Sequence, residues 1–316
     1  MLRVAAIQLR TSACRADTLA RASALLGAAA EGGAQLCVLP EAFTGLYGVE
    51  HFRGNAEQWK GKDSGTQLMA RAAKEHGMFV CGGVIEQHPI RKEILHNTIA
   101  AFGPTGMEVA RYRKMHLSNV TVGDDATSEG CVLQAGEDLS FFDIHDDAEN
   151  SAPGADGRGW RVGLANCFDL RFREISDMLT AVPPKGLGAE LILYPSSWLK
   201  STGDMGHWET LLKARALDGQ VFTMGVSNAC DPVQETVAFG RSCVVGPLGD
   251  TLAVCKDDTA DEVVLATLTL ERLADARKRI PLQDCRRPLV YEDALKNAQS
   301  NPLAMMRPPL GYREME

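Results

Sequence analysis

The sequence predicts an α/β fold made of two similar halves, each a sheet covered by helices. Strand-like and helix-like segments alternate along nearly the whole chain, as in folds that layer helices on sheets. The run Leu36-Cys37-Val38-Leu39-Pro40 is echoed by Leu191-Ile192-Leu193-Tyr194-Pro195. After each run come a helix and three strands, the last two joined by a hairpin turn. The 316 residues, 45% hydrophobic and 23% charged, are an ordinary composition with ample material for a large core.

The elements follow in order. Residues 3–9 form a compact apolar strand. Asp17 is placed to cap a helix whose apolar positions Leu19, Ala22, Leu26 and Ala29 recur at helical spacing, and Gly32-Gly33 stops it. Residues 36–39 read as a buried strand closed by Pro40. Ser64 caps a second helix that Gly77 ends. Strands are expected at 79–85, 97–102 and 108–113, with Gly103-Pro104-Thr105-Gly106 turning the last two into a hairpin. In the second half, 161–165 is a strand running into Cys167, with a helical pattern over 170–179. Strand 191–195, a helix over 206–217, strands 221–226 and 242–245, and a hairpin at Gly246-Pro247-Leu248-Gly249 leading to 252–255 complete it. Residues 145–159, rich in Asp, Gly, Ala and Ser, have almost nothing to bury and read as an exposed, mobile loop between two strands. The tail, rich in proline and methionine, reads as a disordered end or an arm lying on a partner subunit.

The net charge of -8 is spread without a basic patch, which argues against nucleic acid and anionic membranes as partners. No stretch approaches the ~20 apolar residues of a membrane span, and the N-terminal apolar run is too short for a signal peptide. The nine cysteines are scattered singly with no C-x-x-C pair, against both a disulfide framework and a structural zinc site. Thiols in that number fit a reducing interior, cytoplasmic or organellar, with the mitochondrion included. The seven histidines form no H-x-H or H-E-x-x-H. Gly225-Val226-Ser227-Asn228-Ala229 lacks the closing glycine of a serine-hydrolase elbow, and no G-x-G-x-x-G or P-loop precedes a helix.

Three residues stand where extended runs end. Glu41 follows Pro40, where α/β folds place active groups, and burial there would make its carboxylate a base near neutral pH. Lys114 ends the hairpin strand, where a buried ammonium could stabilise an oxyanion or simply join a solvated basic cluster. Cys167 sits between a buried strand and a helix start, which favours a thiolate. Glu129, in the polar loop Thr127-Ser128-Glu129-Gly130, is unremarkable by itself.

Leu39-Pro40-Glu41, Tyr112-Arg113-Lys114-Met115-His116-Leu117 and Asn166-Cys167-Phe168-Asp169-Leu170-Arg171-Phe172 resemble, in order and wide separation, the three signature blocks of the carbon–nitrogen hydrolase (nitrilase) superfamily. The resemblance runs from residue 3 to about 291 and extends to the omega-amidase branch through Glu41-Ala42-Phe43 with Tyr47-Gly48, and Ser201-Thr202-Gly203 with His207-Trp208-Glu209. Two departures stand out: the 145–159 loop looks long, and Phe168 stands where the branch usually has tyrosine. The resemblance implies a four-layer αββα sandwich, one catalytic domain over 1–291 with a tail over 292–316, and a homodimer paired through its helices. It also implies Cys167 as nucleophile, Glu41 as base, Lys114 as oxyanion partner and Glu129 as a second glutamate positioning the lysine, with no metal or organic cofactor. The backbone N–H of Phe168 would complete the oxyanion hole. The substrate would be a small amide, in this branch a monoamide of a small dicarboxylate such as 2-oxoglutaramate or 2-oxosuccinamate.

Such a site must solve a proton problem. Moving a proton from a free thiol (pKa ~8.5) to a free glutamate (~4.3) costs about 5–6 kcal/mol. The expectation is that burial raises Glu41 while Lys114 and the helix start lower Cys167. For the distal carboxylate of the substrate, Arg171 is the candidate, with Lys200 and Thr202 as alternatives; Arg171 could equally sit in an internal ion pair. Trp198 and Trp208 could wall the pocket or belong to the core. Other activities stay open: deaminated glutathione, N-carbamoyl compounds or nitriles as substrates, or, in other classes, a thiol redox sensor or a binding scaffold.

Overall fold

A computed structural model describes residues 1–122, 125–145, 159–234 and 236–300. Strands β1 (Leu2–Gln8), β2 (Leu36–Val38), β3 (Phe79–Gln87), β4 (Leu95–Phe102) and β5 (Glu108–Arg113) build the first sheet. A small hairpin, β6 (Asn119–Val122) with β7 (Asp125–Ser128), follows. The second sheet holds β8 (Ser140–Ile144), β9 (Trp160–Leu164), β10 (Leu191–Ser196), β11 (Phe222–Ser227), β12 (Cys243–Val245) and β13 (Thr251–Val254). The last strand, β14 (Glu262–Leu268), returns to the first sheet and pairs antiparallel with β1.

The strand orders are β14-β1-β2-β3-β4-β5 and β8-β9-β10-β11-β12-β13. Read in that order, both sheets pair antiparallel, parallel, parallel, antiparallel, antiparallel. The two halves suspected from a pentapeptide echo and a repeated order of elements are therefore alike strand for strand.

Alternation along the strands makes the layers. In β1, Leu2, Val4 and Ala6 enter a core shared with Leu164 and Leu193 of the second sheet, whereas Ala5 and Ile7 pack with helix residues Leu26 and Met69. The helices on that outer face are α1 (Arg15–Glu31) and α3 (Gly65–His76); α2 (Val49–Asn55) is a short helix between β2 and α3. On the far side of the second sheet lie α4 (Arg173–Thr180), the short α5 (Lys200–Asp204) and α6 (His207–Gly219). Ile175, Leu179, Leu212 and Ala216 carry α4 and α6 into the core, and Ser176 Oγ meets the Tyr194 hydroxyl at 2.7 Å. This is the four-layer αββα sandwich, contained in a compact unit spanning Met1–Ala276.

Several boundaries differ from the sequence reading. Helix α1 begins at Arg15 with Cys14 as N-cap, so Asp17 lies in the first turn, where its charge suits the helix dipole without capping. Ser64 caps α3 as expected, accepting from the Gln67 N–H, and Gly77 ends it at φ +64°. After Cys167 no α-helix starts. Residues Cys167–Arg171 form a 3₁₀ turn, and α4 begins only at Arg173. A second unit, Arg277–Glu316, contains α8 (Leu282–Cys285) and α9 (Pro288–Gln299), while α7 (Leu270–Arg279) follows β14. The tail set apart at 292–316 thus begins inside a helix, and its residues 301–316 lie outside the described residues, as do 146–158 of the expected loop.

Candidate active site

Glu41, Lys114, Glu129 and Cys167 converge. The first three are essentially fully buried and Cys167 is 7% exposed. Lys114 Nζ donates to Glu41 Oε1 at 2.8 Å and meets Glu129 Oε1 and Oε2 at 3.0 and 2.9 Å. A buried ammonium is tolerable only with such partners. An ammonium carries three hydrogens; these two carboxylates engage two and leave one for another acceptor.

Each group is held by the fold. Glu41 follows β2 at a tight crossing: Phe43 N donates to Gly83 O (3.0 Å) and Gly83 N to Pro40 O (2.9 Å). A Cβ on Gly83 would lie 2.6 Å from Glu41 Cα, so β3 can pass Glu41 only as glycine. The second half closes over the same residue. Ser197 N, just past β10, donates to Glu41 Oε2 at 2.7 Å, and Asn228 Nδ2 donates to the Glu41 carbonyl at 3.2 Å. Glu129 opens a 3₁₀ turn after β7, and its carboxylate accepts from Tyr47 OH (2.6 Å) and Ser118 N (2.6 Å).

Cys167 adopts φ +47°, a conformation costing a non-glycine residue on the order of 1–3 kcal/mol. Asp169, two residues on and fully buried, pins it there. Its Oδ2 accepts from Asn166 N (2.8 Å) and Tyr112 OH (2.7 Å), and its Oδ1 faces His116 N (3.0 Å) and His116 Nδ1 (2.8 Å). Tyr112 and His116 flank Lys114 by two residues on either side, so one carboxylate registers the lysine against the cysteine.

Burial pushes Glu41 above the usual carboxylate range; Lys114 opposes this and Glu129 adds to it. That is the direction expected for Glu41. Cys167 does not meet its own. Burial, then the charge of Glu41, raise the thiol well above its ordinary value, and the opposing pull of Lys114 is outweighed. The reason is physical: a five-residue 3₁₀ turn offers little dipole, and the lysine charge is already matched by two carboxylates. Lys114 itself, despite the cost of burial, is held charged by Glu129 and Glu41. Cys167 and Glu41 share a hydrogen bond, and burial favours the protonated form of each.

The pocket over Cys167 is walled by Phe168, Arg171, Trp198 and Thr202, together with Tyr47 and Ser118. Arg171 stacks on the Trp198 ring at 4.6 Å and donates to Thr202 Oγ1 at 3.1 Å. Among the described residues it has no carboxylate partner, so the internal ion pair considered from the sequence is not there. Lys200 is occupied by Asp204 at 2.7 and 2.8 Å. Trp208 is core, its Nε1 bonded to the Arg241 carbonyl at 2.9 Å. The sequence did not mark Asn97, Ser197, Asp169, or Tyr47 as a ligand of Glu129; Asp169 and Tyr47 stood in its resembling motifs, and Asn97 opened one of its expected strands.

The carbon-nitrogen hydrolase family model matches residues 3–278. The chain belongs to the carbon–nitrogen hydrolase family. It is 36% identical over 297 residues to the omega-amidase NIT2 of Bos taurus, covering 94% of this chain and 99% of that protein. Its identity to the Homo sapiens omega-amidase NIT2 is 35% over 295 residues, covering 93% and 98%. Among solved structures, Saccharomyces cerevisiae Nit3, a member of branch 10 of the nitrilase superfamily, superposes with a TM-score of 0.74 at 28% identity, covering 89% of this chain and 94% of that one. The carbon–nitrogen hydrolase match thus spans nearly all of the Met1–Ala276 unit, and the buried cluster lies where its two halves meet.

Proposed function

We propose that this carbon–nitrogen hydrolase is an omega-amidase-type enzyme that releases ammonia from monoamides of small dicarboxylates, working without a cofactor as a homodimer in a reducing compartment such as the cytoplasm. The observation that carries the substrate class is Arg171: a guanidinium half-buried in the wall of the Cys167 pocket, beside Thr202, with no carboxylate of its own among the described residues. A substrate with a distal carboxylate supplies the missing partner, and a planar guanidinium fork suits that geometry.

In this reading Cys167 Sγ attacks the amide carbon as its proton passes to Glu41, so the thiolate forms only with attack. The free hydrogen of Lys114 and the backbone N–H of Phe168 hold the tetrahedral oxyanion. Glu41 returns the proton to the nitrogen as the C–N bond breaks, ammonia leaves, and an acyl-thioester remains. Glu41 then takes a proton from water, whose oxygen attacks the thioester carbon. The acid departs and the thiol is restored. Glu129 shares the lysine charge, so that Lys114 does not hold Glu41 too acidic to act as a base.

Ammonia release from 2-oxoglutaramate by the wild type and by Cys167→Ser tests the proposal. Turnover by the wild type and loss of more than ~10³-fold in the variant are expected. A variant that keeps normal turnover removes the nucleophile assignment. A wild type inert on 2-oxoglutaramate and 2-oxosuccinamate, yet active on N-carbamoyl compounds or nitriles, removes the substrate class.

A further inference from the structure

Asn97 lies on the inner face of β4 and is fully buried. Its Nδ2 donates to Glu41 Oε1 at 2.7 Å and to Glu129 Oε1 at 3.2 Å. Its Oδ1 accepts from Asn166 Nδ2 at 2.8 Å, and its backbone carbonyl accepts from Lys114 N at 2.8 Å. One residue therefore touches the base, the second glutamate, the chain of the lysine, and the neighbour of the nucleophile. The partners fix the orientation of the amide: rotated by half a turn, it would set its oxygen against two carboxylates and its NH₂ against another NH₂. Both amide hydrogens are spent on the two carboxylate oxygens that also share Lys114 Nζ.

We propose that Asn97 is a positioning residue for the amidase reaction, holding Glu41 and Glu129 at one shared pair of donors and tying that pair through Asn166 to the turn that carries Cys167. The proposal builds on the roles given above to Glu41 and Cys167 and adds a residue that never meets substrate. Glu41 faces Lys114, Glu129, Cys167 and Tyr47 across the cluster, and the Asn97 amide donates to the same Glu41 oxygen as Lys114, while the uncharged Ser197 N–H donates to the other. A donor aimed at an ionised carboxylate favours that ionised form. Removing it makes Glu41 harder to ionise, and a base must be ionised to work, so the acid limb of the activity profile moves to higher pH. A carboxylate in its place adds a like charge and moves the limb further.

The test uses the full chain as wild type, Asn97→Ala and Asn97→Asp. Ammonia release from 2-oxoglutaramate is measured against pH. Alkylation of Cys167 by iodoacetamide is measured in parallel and read on its own peptide by mass spectrometry, because other cysteines are exposed. For Asn97→Ala, kcat is expected to fall about 100-fold with little change in KM, the loss typical of a misplaced catalytic group. The acid limb should rise in the order wild type, Asn97→Ala, Asn97→Asp in both assays. Equal limbs in all three proteins, whatever their rates, overturn the proposal and leave Asn97 a packing residue. Should Asn97→Ala not fold, the same-sized Asn97→Asp decides alone. If the wild type hydrolyses no monoamide while the alkylation limbs still move in that order, the substrate reading falls and the role of Asn97 stands.

Discussion

At the scale of single residues, the pocket wall and the buried cluster make separable demands. Arg171 should matter to binding and little to bond cleavage. Arg171→Ala is expected to raise KM for 2-oxoglutaramate by about 30- to 100-fold, the worth of roughly 2–3 kcal/mol for a charge-assisted hydrogen-bonded pair, while a neutral aliphatic amide keeps its KM. Steady-state kinetics on the two substrates check this, and an equal loss on both would assign Arg171 to folding of the turn. Glu41, Lys114 and Cys167 were candidates in the sequence because each ends an extended run, where a layered fold exposes side chains, and the three resembling blocks joined them into one site. Glu129 was legible only by resemblance. Asn97 was hidden for a plain reason: it is one polar residue inside β4, and its meaning depends on β5 and on the turn after β9, about 70 residues away.

At the scale of elements, the strands and their crossings carry the precision of the site. Gly83 is the clearest case, because the atoms an added methyl would meet, Glu41 Cα at 2.6 Å and Ala42 N at 2.8 Å, are backbone and cannot swing aside. Gly83→Ala should push β3 from Glu41, costing on the order of 1–3 kcal/mol of stability and about 10- to 100-fold in kcat. Gly27→Ala, in α1 with nothing within 4 Å of the added carbon, should be neutral or stabilising by up to about 1 kcal/mol with kcat unchanged. Thermal unfolding and kcat of the two variants give the comparison; a Gly83→Ala enzyme as active as Gly27→Ala would show that the crossing is loose. Alternation and capping revealed most strands and α3, because those signals are local. β14 escaped since its partner β1 lies at the other end of the chain, and α9 escaped since none of its residues is buried. The 3₁₀ turn after Cys167 escaped because the apolar spacing of α4 reads smoothly back through it; the interruption comes with Asp169, whose carboxylate ties Asn166 of its own turn to Tyr112 and His116 in and just after β5.

At the scale of the whole molecule, the site is where two like halves differ. Both sheets repeat one pairing pattern, yet the first supplies Glu41 and Lys114, joined by Glu129 from the turn after the β6–β7 hairpin, and the second supplies Cys167 and the Ser197 N–H. Bringing them together places two carboxylates and one ammonium in a buried interface, so the fold carries an electrostatic load that depends on Lys114. Because the folded state raises Glu41, that group favours folding more as pH falls through its folded pKa and weighs against it above. The contribution of Lys114, also raised, is fully present below the pKa of a free lysine and is lost only as pH rises through its own value. Lys114→Met removes the cation and leaves two buried carboxylates facing each other. At neutral pH this should cost about 3–5 kcal/mol, the usual price of breaking a buried pair, and lower Tm by roughly 6–20 °C in a domain of this size. As pH falls and Glu41 takes up a proton, the gap to the wild type should narrow, because the neutral acid no longer needs the ammonium. Thermal unfolding of both proteins between about pH 5 and 8 measures that gap. A difference that stays constant across the range would mean that Lys114 acts through packing, and that its charge is kept for the oxyanion alone.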